Sequence, residues 1–127
     1  MHDMERAGKL SLQEVLAHIP KRESGKPVIQ SFFGHKISLA KKRLRVFLYK
    51  GTNCILCKLP ASFFAVEKLK GDEHKWKLNL YAVDELNDEV LITIDHIHPK
   101  SLGGDNEMNN LQPMCFHCNV RKGNDIA

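Results

Sequence analysis

The run ITIDHIHPKSLGGDNEMNNLQPMCFHCNVRKG, residues 92–123, decides how this chain is read. Val90, Ile92 and Ile94 fall at every second position, the period of a half-buried strand, and that strand delivers Asp95 and His96 to its end. Neighbours on a regular strand point to opposite faces. If both side chains act on one group, the strand must bend or stop there, and Pro99 just beyond fits that requirement. A loop with Gly103-Gly104 comes next, then Asn110-Leu111, then a C-x-x-C pair at Cys115 and Cys118. Asn119 follows directly, and Lys122 three residues later.

The order of these residues resembles the HNH, or ββα-metal, nucleases. The resemblance rests on Asp95, His96, Pro99, Gly103, Gly104, Asn110, Leu111, Cys115, Cys118, Asn119 and Lys122. It extends upstream when Cys54-x-x-Cys57 is counted as a partner knuckle. It implies that His96 is a general base and that Asn110 tethers the loop and orients His96. Asp95 and Asn119 would hold a catalytic Mg²⁺ or Mn²⁺. Asn119 is a departure, because the family often has His at that place; the nuclease domain of CRISPR effectors of this class carries the same variant.

The residue types suit that chemistry independently of the family. Phosphodiester hydrolysis needs an activated water, and an imidazole with an unperturbed pKa near 6.5 can take its proton at neutral pH. Hard divalent cations polarise phosphate and prefer oxygen ligands, which a carboxylate and an amide supply.

The four cysteines read as one site. In a reducing compartment they are better metal ligands than disulfide partners. Cys54, Cys57, Cys115 and Cys118 make a Cys₄ set, and closed tetrahedral thiolate coordination marks a structural Zn²⁺. The 57 residues between Cys57 and Cys115 exceed any simple finger, so the fold must bring the knuckles together. A redox C-x-x-C is the competing reading. His117, inside the second knuckle, is expected to face solvent, and His98 to be a loop residue.

Upstream, residues 1–9 read as a loose end. Ser11 to Ile19 reads as a short helix with an S-x-x-E capping box and Leu12, Val15, Leu16 and Ile19 on one face; Pro20 stops it. His18 on it is an ordinary surface histidine. Val28 to Phe33 is apolar but undecided between strand and irregular packing. Ser38 to Lys50 reads as a helix with Ser38 as N-cap and Gly51 at its end. Strands are expected at Phe63 to Leu69, Trp76 to Val83 and Val90 to Ile97, with turns at Gly71-Asp72 and Asn87-Asp88. A short helix continues from the second knuckle through Lys122, and a frayed tail covers Asp125 to Ala127.

Charge is unevenly spread. The net charge is +4, and between Glu23 and Glu67 there are eight Lys or Arg and no acid. Lys41, Lys42 and Arg45 are the expected contacts to backbone phosphates, with Arg121 and Lys122 nearer the scissile strand. From Glu67 to Asp95 eight acids face four bases, so that part is expected to turn away from nucleic acid.

The expectation is thus one α+β domain over residues 1–127: a helical, basic region (1–53) and a zinc-stapled HNH core (54–123) with a short antiparallel sheet. Its activity would be endonucleolytic cleavage of DNA, by nicking or double-strand cutting. The alternative is a zinc-stapled nucleic-acid-binding module, or an accessory subunit of a packaging or restriction complex, inactive alone. A homodimer or larger nuclease complex is compatible with either. At 43% apolar and 27% charged residues, with no signal peptide or membrane-length apolar run, the chain is expected in the cytoplasm.

Overall fold

Alternating patterning builds one antiparallel sheet in a computed structural model that describes residues 3–71 and 75–123. Its strands are β1 (Met4–Leu10), β4 (Ala61–Leu69), β5 (Lys77–Val83), β6 (Glu89–His96) and β7 (Leu111–Cys115), lying side by side in that order. A separate hairpin joins β2 (Ile29–Phe32) to β3 (His35–Ser38). The helices are α1 (Leu12–Leu16), α2 (Lys42–Lys50) and α3 (Phe116–Lys122). The α+β class and the antiparallel sheet agree with the sequence reading. Among the described residues no helix is long and apolar enough to cross a membrane.

The core lies between the sheet and the helices. Phe47 and Leu44 from α2, Val15 from α1, Phe64, Leu78, Leu80, Ile92 and Met114 from the sheet are all buried. Phe47 meets Phe64 edge to face at 6.3 Å. Full burial of each such side chain contributes roughly 1.5–3 kcal/mol, which fixes α2 against the sheet that carries the Asp95-His96 end.

Several expectations are corrected. The loose end expected before Ser11 is, from Met4 on, the edge strand β1 paired with β4. Beside its backbone pairing and the packing of Ala7 and Leu10 on the core, it carries a charged network. Arg6 donates to Glu67 Oε2 at 2.7 Å and to both Glu89 oxygens at 3.0 and 2.8 Å, and its guanidinium lies over Tyr81. Ser38 does not cap α2. It ends β3, opposite Ile29, and Lys41 stands at the cap without a side-chain bond. Ser11 does cap α1, and its capping box with Glu14 is complete. The undecided Val28 to Phe33 run supplies β2. The expected Gly71-Asp72 turn lies partly, and the 125–127 tail wholly, outside the described residues.

Glu67 is a buried carboxylate that no sequence pattern marks. It is 2% exposed and also accepts from Asn79 Nδ2 at 2.9 Å and from Tyr81 Oη at 2.6 Å. Burial, and then the Glu67 carboxylate beside it, hold the Tyr81 phenol above its usual range. Removing Glu67 breaks its buried pair with Arg6, which keeps only Glu89, and leaves Asn79 Nδ2 and Tyr81 Oη without their acceptor. Breaking a buried ion pair costs roughly 3–5 kcal/mol. Arg6 is 27% exposed, so Glu67→Ala should destabilise by about 3 kcal/mol, the lower end of that range. Urea unfolding measures it, and a loss within the noise of an ordinary surface substitution would show that the network adds nothing.

Candidate active site

Strand β6 carries the decisive pair. Its last residues sit against β7, with Asp95 opposite Gln112 and His96 opposite Leu111. Helix α3 packs across β6 and brings Asn119 and Lys122 to the same end. Asp95, His96, Asn119 and Lys122 line one depression with Ile94, Pro99 and the loop beyond.

Asp95 is 5% exposed, and its carboxylate is fully engaged. Lys122 Nζ lies 3.1 Å from each of its oxygens, and Gln112 Nε2 donates to Oδ2 at 2.9 Å. Lys122 Nζ also donates to the His96 carbonyl at 2.8 Å. This corrects the expectation that Lys122 contacts the scissile strand: its ammonium is buried on Asp95. Arg121 donates to Cys118 Sγ at 3.2 Å, beside the knuckle.

The half-buried His96 has its Nε2 2.7 Å from Asn106 Oδ1. An amide oxygen only accepts, so this bond places the proton of the neutral ring on Nε2 and leaves the lone pair on Nδ1. Asn119 Nδ2 donates to Thr93 Oγ1 at 2.7 Å, and Thr93 in turn donates to the Met114 carbonyl at the same distance. That chain fixes the amide, with its oxygen at the end away from Thr93. Asp95 and Asn119 both line that depression, and a carboxylate and an amide oxygen are donors that suit a hard divalent cation, although any such ion must contend with Lys122 for Asp95.

Asn110 closes the loop on itself. Its Oδ1 accepts from His98 N at 2.8 Å, while Nδ2 donates to the carbonyls of Asp105 at 2.8 Å and His98 at 3.2 Å. The two glycines have separate reasons. Gly103 has φ 93°, a left-handed conformation that side chains resist. A Cβ on Gly104 would run into the His98 carbonyl oxygen. His98 is a loop residue, its Nε2 2.9 Å from the Leu102 carbonyl.

The knuckles meet as expected. The sulfurs of Cys54, Cys57, Cys115 and Cys118 all lie within 4.8 Å of one another, and Cys57 Sγ is 3.8 Å from Cys115 Sγ. Four thiolates about 2.3 Å from a central Zn²⁺ would sit roughly 3.8 Å apart, so the cluster fits a tetrahedral zinc site. Backbone N–H groups of Cys57 and Cys118 each point at the first sulfur of their own knuckle at 3.5 Å. Burial works against ionising Cys54, but backbone N–H groups around it outweigh that and hold its thiol down at about 6. Burial, with the neighbouring thiols, pushes Cys118 up to about 12. His117 is exposed, as expected of a knuckle interior.

Folding redistributes the basic residues. Arg45 is 5% exposed and pairs with Glu23 at 3.6 Å, so it is not the open phosphate contact expected of it. Lys41 is exposed, and Lys42 Nζ donates to the Asn106 carbonyl at 2.9 Å. Four parts of the site lie beyond the sequence reading: Thr93, Asn106, Gln112 and the inward turn of Lys122. Only Gln112 carries a signal, as a lone polar residue between Leu111 and Pro113-Met114.

Two strands, a pinned loop and a helix form a ββα arrangement around a carboxylate, an imidazole and an amide. Residues 84–125 match the family model of the HNH endonucleases, a likeness over part of the chain that points broadly to nuclease activity. No curated protein and no solved structure matches the chain.

Proposed function

We propose that the chain is a metal-dependent endonuclease that hydrolyses phosphodiester bonds in DNA. The convergence of Asp95, His96 and Asn119 on one depression supports this reading most directly. His96 acts as general base through Nδ1, because Asn106 occupies Nε2. Asn110 keeps the loop that carries Asn106 folded against the strand end. Asp95 and Asn119 would hold Mg²⁺ or Mn²⁺, which stabilises charge on the phosphate and the departing oxygen. Lys122 orients Asp95, and it competes with other cations for that carboxylate.

That competition also favours a second reading, a nucleic-acid-binding module or accessory subunit that does not cut alone. Supercoiled plasmid with Mg²⁺ or Mn²⁺ separates the two. Wild type should nick or linearise it. Asp95→Asn, chosen because alanine would leave Lys122 buried without a partner, should cut more slowly and recover part of the rate at raised metal concentration. No nicking with either ion removes the stand-alone enzyme. Cutting by Asp95→Asn at the wild-type rate and metal dependence removes Asp95 as the ligand.

A further inference from the structure

A second basic surface lies off the HNH depression. A cleft of about 520 Å³ opens between the β2–β3 hairpin, the start of α2 and the lead into β5. Lys36 comes to it from β3, Lys41 and Lys42 from α2, and Lys75 and Lys77 from the far side. Lys75 and Lys77 belong to the stretch where acids outnumber bases, so the charge division along the chain does not survive folding. No acid among the described residues lines this cleft, and none of them pairs with Lys36, Lys41, Lys75 or Lys77. Soluble surfaces ordinarily intersperse the two signs, and a concave run of one sign concentrates a counter-charge.

We infer that this cleft is a backbone-phosphate track for duplex DNA, continuous with the HNH depression. Three features select that occupant. The track ends at Lys42, whose ammonium holds the carbonyl of Asn106, the residue bonded to His96. A polymer of phosphates can therefore lie in both places at once, as a single small anion cannot. The free cations are lysines, point charges suited to sequence-independent contact; Arg43 is turned inward, its Nη2 donating to the Leu78 carbonyl at 2.6 Å. A single strand would want an open aromatic platform, but Trp76 is already stacked on His35 at 4.0 Å, with Lys68 Nζ 5.6 Å from its ring. The identity of the polymer rests on the nuclease reading; the existence of the track does not.

The chain has one tryptophan, and it lines the cleft. Its emission should change when a short mixed-sequence duplex is added without divalent metal. Replacing Lys36, Lys75 and Lys77 together by Ala touches exposed side chains and should leave the melting temperature near wild type. It should weaken duplex binding and reduce the slope of log affinity against log salt by about 0.9 for each phosphate no longer neutralised. An unchanged slope in the triple variant, or tryptophan emission indifferent to duplex, overturns the track. So does a polyglutamate of equal charge that displaces the duplex as well as DNA itself, since that marks a face for acidic proteins. Wild type that binds with a cleft-dependent slope yet never nicks plasmid keeps the track and sinks the nuclease reading. Nicking by wild type with a full slope in the triple variant does the reverse.

Discussion

A His96→Ala protein should fold, hold its knuckle metal and bind duplex DNA as wild type does, while cutting it roughly two to four orders of magnitude more slowly, the usual worth of a general base. The structure gives the reason for that separation. The imidazole is half-buried and makes one side-chain hydrogen bond, to Asn106. The main-chain oxygen that Lys122 uses stays in place after truncation. Little of the fold depends on the ring, so its loss should be felt in proton removal alone. Single-turnover cleavage at saturating protein reads the difference. Equal rates for the two proteins in the same metal would refute the proposed mechanism.

Cys57→Ser and Cys115→Ser should be the most damaging substitutions to folding. Wild type is expected to carry about one zinc per chain, by elemental analysis. Structural zinc binding is worth roughly 10–16 kcal/mol in finger peptides, against a total stability of about 5–15 kcal/mol for an ordinary domain. Loss of one thiolate should therefore remove a large share of the margin and give an unfolded or strongly destabilised protein. Cys57 is the cleaner test, because it is exposed and its replacement disturbs little packing; Cys115 is buried at the N-cap of α3. Zinc-free wild type, or a Cys57→Ser protein melting with wild type, would mean the sulfurs meet for another reason.

Elements with a strong local period are legible in the sequence, and those defined by a partner are not. β5 and β6 announce themselves by alternation, and α1 by its capping box. β1 does not, because Arg6 on it is anchored by Glu67 and Glu89 on strands far along the chain. Ser38 has the chemistry of an N-cap, but pairing with Ile29 claims it for the hairpin. The candidate site divides in the same way. Asp95, His96, Asn110, Asn119 and the four cysteines stand at offsets that a reader can match. Lys122 reads as a surface residue because lysine usually is one; only the packing of α3 on β6 turns it onto Asp95. Arg45 reads as outward because it lies off the apolar line of α2, whereas the helix is covered on more than that line: Leu44, Arg45, Val46 and Phe47 are all buried, and Arg45 pairs with Glu23.

β7 is hard to see in the sequence partly because it contains Pro113, a residue that interrupts sheets. Its placement accounts for the exception. Pro113 pairs with Ile94 on one side, and on the other its carbonyl accepts from Ile55 N at 2.9 Å, while Lys50 Nζ caps the Leu111 carbonyl at 3.0 Å. The outward positions of this border strand are thus taken by the first knuckle and by the end of α2, and proline removes the donor that another strand would need. A neighbouring molecule cannot extend the sheet from the end that bears Asp95 and His96. Fibre-like stacking is closed off along β7, the border strand beside the one that ends in Asp95 and His96.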